Sequence, residues 1–155
     1  MVDAVVNLVH LLATAIWLGG AIFIKLILEP ASRQIDPREN GKLQGLIARR
    51  FTIAAWTSLV LLLITGIMKT PSEMYLDFSS DMGRALAIKH ILVAAVFAVG
   101  LIIALVAVPR MRHAAPGPGA APSDAFLRAQ RFLLRLSLTS TLLGIGVLIC
   151  ASFLW

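Results

Sequence analysis

Apolar residues in this chain gather into four long runs, near residues 2–28, 51–69, 85–108 and 126–154, and the charged residues fall mostly between them. Each run is close to or above the ~20 residues that a helix needs to cross the hydrocarbon core of a bilayer. The pattern predicts an all-α, polytopic membrane protein built as a single transmembrane domain over residues 1–155. Short connections make sequential helices antiparallel neighbours, which gives an up-down-up-down four-helix bundle.

Helix breakers and caps sharpen the ends. Pro30 is expected to end the first helix, Pro71 the second and Pro109 the third, because proline has no N–H to give. Asp36-Pro37-Arg38-Glu39 reads as an N-cap with proline at the first helical position. Ser80 or Asp81 can cap the third helix, and Ser123 or Asp124 the fourth. The predicted helices are about 2–28, 38–70, 82–108 and 124–154, with Ala114–Pro122 as a flexible linker.

Composition removes the soluble alternative. The chain is 59% hydrophobic and 14% charged, whereas soluble domains are roughly 45–50% apolar and about 25% charged. The net charge of +6 does not indicate nucleic acid, because the basic residues flank the apolar runs, where anionic lipid headgroups attract them. Arg33, Arg38, Lys42, Arg49 and Arg50 lie in the first connection, and Arg110, Arg112, Arg128 and Arg131 in the third. The middle connection has only Lys69 and Arg84 beside Glu73, Asp77 and Asp81. The positive-inside rule therefore predicts a plasma-membrane protein with both termini on the outer side. The first run has no basic leader and is too long for the core of a cleaved signal, so it is read as a mature helix. Cys150 is the sole cysteine and reads as a small core residue.

His10 is the candidate functional residue. An ionisable group inside a membrane span is costly, so it points to function. His10 shares a helical stripe with Asp3, Asn7, Thr14, Trp17 and Ala21, which turns it toward the interior. His90, in the third run, shares a stripe with Gly83, Ala87, Ala94, Phe97 and Ala104. With helices one and three both starting outside, His10 lies ~12 Å and His90 ~9 Å deep at 1.5 Å per residue. Two imidazoles at matched depth suit axial ligation of a b-type haem. Asn7 or Thr14 would then serve the second ring nitrogen of His10, Trp17 and Phe97 would flank the group, and Arg84 and Lys89 would meet its propionates. Lys89 competes with His90 for the interior face.

Other residues carry plainer readings. Lys25 can snorkel to the headgroups, Arg49 and Arg50 anchor topology, and Arg128, Arg131 and Arg135 form a lipid-facing basic stripe. His113 reads as a solvated loop residue. Met68, Met74 and Met82 gather near the outer surface, and thioethers favour Cu(I). Tyr75 and Trp155 suit an aromatic belt. Every carboxylate lies at a helix end, and no phosphate loop, zinc spacing or nucleophile–base pair is visible.

The run from His10 through Trp17 to Gly19-Gly20, Arg50-Phe51-Thr52, Thr65-Gly66, and Gly83-Arg84 through Leu86 to Lys89 resemble the CopD-type copper-resistance membrane domain. That likeness spans helices one to three, with helix four generic, and makes this chain a minimal four-helix member. In size and layout the chain is also similar to the HemJ-type protoporphyrinogen oxidases, which are four-helix haem proteins. His10, Trp17 and Lys89 match their positions, and Lys25 falls near their helix-one arginine. The resemblances imply His10 and Lys89 as pocket residues; His90 stands on depth and phase alone.

Three functions follow as expectations. The first is a haem b protein with His10 and His90 as ligands, transferring electrons or oxidising a lipophilic donor such as quinol or a porphyrinogen, with a redox partner or a second copy of itself. The second is a copper transport or resistance protein. The third is a non-catalytic subunit of a larger membrane complex.

Overall fold

The computed structural model describes residues 1–70, 80–117 and 120–152. Four helices dominate it: α1 (Val2–Ser32), α2 (Pro37–Lys69), α3 (Asp81–His113) and α4 (Asp124–Ser152). All four are long and apolar enough to cross a membrane, and no strand occurs among the described residues. The expectations for Pro71, Glu73, Met74, Tyr75, Asp77 and Trp155 lie outside the described residues.

The caps follow side-chain chemistry. Ser80 Oγ accepts from the Gly83 N–H at 3.0 Å to start α3, and Ser123 Oγ accepts from the Phe126 N–H at 3.2 Å ahead of α4. In each pair of candidates the serine is the cap and the aspartate follows in the first turn, where its charge suits the helix dipole. Asp36 Oδ1 accepts from the Glu39 N–H at 3.4 Å before α2.

Pro37 opens α2 as the sequence predicts, whereas Pro30 and Pro109 do not end their helices. Helix α1 runs through Pro30 to Ser32, and α3 through Pro109 to His113. In both, a five-residue π turn closes two residues before the proline, Ile24–Leu28 in one and Ile103–Ala107 in the other. Widening the ladder to i→i+5 bonding lets the helix restart with proline near its first position, where the missing N–H costs little. Such adjustments are how proline is tolerated inside membrane helices. A third π turn, Ala15–Gly19, holds Trp17 and Leu18, both buried.

Helices α1 and α2 form one compact unit, and α3 and α4 another. In the first, Asn7 meets Lys69, His10 meets Thr65, and Ser32 meets Gln44, so early residues of one helix face late residues of the other and the pair is antiparallel. In the second, Gly146 packs on Leu92 and Arg110 lies over Phe132, again antiparallel.

Large apolar side chains mostly point outward: Leu26 and Leu105 are each 72% exposed. In water that would be costly, but lipid is the solvent for these faces, so association depends on close packing and polar contacts instead. Small residues, among them Ala13, Gly83, Ala107 and Gly144, accordingly share the buried positions with a few large ones such as Trp17, Leu18, Leu59 and Leu86. Gly20 shows how close the approach is: a Cβ there would lie 2.7 Å from the Phe51 ring, whereas at Gly19 it would meet nothing within 4 Å. Gly20→Ala is expected to destabilise the α1–α2 unit by about 1–3 kcal/mol, Gly19→Ala to leave it unchanged, and Phe51→Leu to relieve Gly20→Ala. Thermal unfolding in detergent checks all three.

Candidate functional site

Just over two turns along α1, the half-buried His10 projects toward α2. Its Nδ1 lies 2.7 Å from Thr65 Oγ1. Thr65 is 5% exposed, too buried to draw on solvent. Its hydroxyl is also 2.6 Å from the Leu61 carbonyl oxygen, one turn back on α2. A carbonyl only accepts, so the single hydroxyl proton of Thr65 goes to Leu61. Toward His10 the same oxygen can therefore only accept. Nδ1 carries the proton, and in the neutral ring the lone pair sits on Nε2, the form of imidazole that ligates a metal.

The surroundings keep the ring in place. A Cβ at Gly66 would lie 4.0 Å from His10 Cε1, so the backbone of α2 passes beside the ring with no side chain between. One turn toward the helix ends, Lys69 Nζ donates to Asn7 Oδ1 at 2.7 Å. These two cross-helix bonds, three and four residues apart on their helices, form a short ladder along one face of each helix.

The expected helpers of His10 therefore have other partners. Thr14 Oγ1 donates to the His10 carbonyl at 2.9 Å, within its own helix. Asn7 is engaged by Lys69. Neither orients the imidazole; Thr65 does. Trp17 is buried in its π turn a little below.

On α3, Gly83 is buried, Ala87, His90, Phe97 and Ala104 are half-buried, and Ala94 is exposed. His90 Nδ1 lies 2.8 Å from the Leu86 carbonyl oxygen, so it too donates from Nδ1 and carries its lone pair on Nε2. Lys89, its neighbour, is half-buried. Arg84, expected to meet a propionate, pairs with Asp81 on its own helix.

At the other end of the α1–α2 unit, Lys25 reaches Glu29 Oε2 at 3.4 Å, with 17% and 27% of the two side chains exposed. An ion pair replaces the expected snorkelling there. Ser32, 3% exposed, accepts from Gln44 Nε2 at 2.8 Å and donates to the Glu29 carbonyl at 3.0 Å. No motif in the sequence announced this second polar tie. Among the described residues no group of three His, Cys, Asp or Glu stands close enough to enclose a metal ion.

No curated protein and no solved structure matches the chain. The family model described as copper resistance protein D matches residues 45–154, which takes in most of α2 and all of α3 and α4. It includes helix four, which had looked generic, and stops short of α1, so His10 is tied to the matched region by its bond to Thr65. With more than half of its length matched, this multi-pass membrane chain belongs to the copper resistance protein D family.

Proposed function

We propose that this protein handles copper in the membrane, and that His10 receives the ion through Nε2. The observation that carries the reading is the bond to Thr65, which commits Nδ1 to the protein and leaves Nε2 as the nitrogen with a lone pair. Imidazole and thioether both suit Cu(I), and Met68, exposed at 59%, follows Thr65 by three residues on α2. A site of few ligands favours passage of an ion over its retention, because a closed set of four would bind too tightly to release. Copper is here the cargo. The Lys and Arg distribution supports a plasma-membrane setting with both termini outside and the two basic ends in the cytoplasm.

A second reading draws on His90. Its Nδ1 is committed to Leu86 O, the same state as His10, and two such imidazoles are the ligand set of a b-type haem. Lys89 competes for the second position. Such a group would supply one-electron chemistry, with quinol or a porphyrinogen as a suitable donor.

Metal analysis and a visible spectrum of the protein, purified in mild detergent after growth with copper and haem precursor, separate the two. Bound copper that His10→Ala removes is the expected result. Equal copper in wild type and His10→Ala would overturn the copper reading, and a Soret band with split reduced α/β bands would favour haem.

The role of Thr65 has its own test. Thr65→Val keeps the shape and removes the acceptor, so the imidazole ¹⁵N resonances of His10 should move from one fixed tautomer to a mixture. Copper affinity should fall about 10–100-fold, and Thr65→Ser should restore both. A wild-type spectrum with the proton on Nε2 would contradict the assignment.

A further inference from the structure

The ends of α3 and α4 that carry Arg110 and Arg128 differ in charge from the Lys25–Arg50 end of the α1–α2 unit. Between Lys25 and Arg50 six basic residues stand against three acids, Glu29, Asp36 and Glu39, and both lysines are paired, Lys25 with Glu29 and Lys42 with Glu39. Between Val108 and Arg135 five arginines stand against Asp124 alone. None of those five has an ion-pair partner among the described residues, and all are exposed.

Three of them converge. The guanidinium of Arg110 lies over the Phe132 ring, 5.8 Å from its centroid. Phe132 follows Arg128 by four residues and precedes Arg135 by three, so all three share one face of α4. Arg110 thus reaches α4 between two further arginines. Arg131 is turned aside, its Nε donating to the Leu127 carbonyl at 3.3 Å. The π turn at Ile103–Ala107 makes the arrangement possible, since it carries α3 past Pro109 and keeps Arg110 on a helix. Like charges gathered this way repel unless an anion lies among them.

Depth indicates where that anion comes from. The uncharged stretch of α4 that follows Arg135, as far as Ser152, rises ~26 Å at 1.5 Å per residue, most of the ~30 Å of the hydrocarbon core. Arg135 therefore lies at the level of the lipid phosphates, with Arg128 two turns nearer the solvent. Planar guanidinium groups match the oxygens of a phosphodiester in pairs. We propose that Arg110, Arg128 and Arg135, around Phe132, form a binding site for the headgroup of an anionic phospholipid.

Native mass spectrometry of the full chain in detergent, with phosphatidylglycerol and phosphatidylcholine supplied together, tests the site. Phosphatidylglycerol should be retained in preference, and each of Arg128→Gln and Arg135→Gln should lower its retention about fivefold. Arg110→Gln, on the other helix, should do the same and covers the case in which an α4 variant fails to fold. Arg49→Gln with Arg50→Gln should leave retention unchanged, and glycerol phosphate should not displace the lipid. Unchanged retention in the Arg110, Arg128 and Arg135 variants would overturn the site. So would equal loss in the Arg49/Arg50 control, which means diffuse attraction, or displacement by glycerol phosphate, which means a site for a soluble anion.

Discussion

Hydrocarbon offers no partner for a hydrogen bond, and most of what distinguishes this chain is a response to that. Each polar group carried into the membrane must be met by another from the protein. His10 is met by Thr65, Thr65 by Leu61 O, Asn7 by Lys69, and His90 by Leu86 O. The same demand acts on the backbone, where π turns before Pro30 and Pro109 keep the ladder bonded. Because lipid gives α1 and α2 no hydrophobic reason to associate, these polar ties and the contact of Gly20 with Phe51 hold the pair together. The threonine that helps dock α2 onto α1 is also the hydrogen-bond partner of His10 Nδ1.

Much of this is legible in the chain itself. Four apolar runs of spanning length are a composition signal that tertiary context does not override, and all four appear as helices. The serine caps also follow local rules. Pro30 and Pro109 were misread because a rule about isolated helices, that proline ends them, ignores the π turn that packing in a membrane makes tolerable. The partner of His10 was misread for a related reason. Periodicity along α1 orients a side chain and points to Asn7 and Thr14, but it says nothing of which residue the neighbouring helix places opposite. Thr65 was visible only inside the Thr65-Gly66 pair that resembles the family, with no role attached. Arg84 and Lys25 reach carboxylates on their own helices, three and four residues away, a spacing the sequence displays and a search for ligands passes over.

Membership in the copper resistance protein D family rests on residues 45–154, whereas the candidate ligand His10 lies before them. The Thr65 bond bridges that gap. It ties His10 to a helix within the matched region, so the orientation of the imidazole depends on α2 as much as on α1. Seen this way, α1 contributes the imidazole and α2 contributes its orientation.

Copper K-edge X-ray absorption of the protein loaded with one equivalent of Cu(I) tests this account most directly. The account predicts imidazole scattering around the copper that disappears in His10→Ala. The same imidazole signal in wild type and His10→Ala would contradict it.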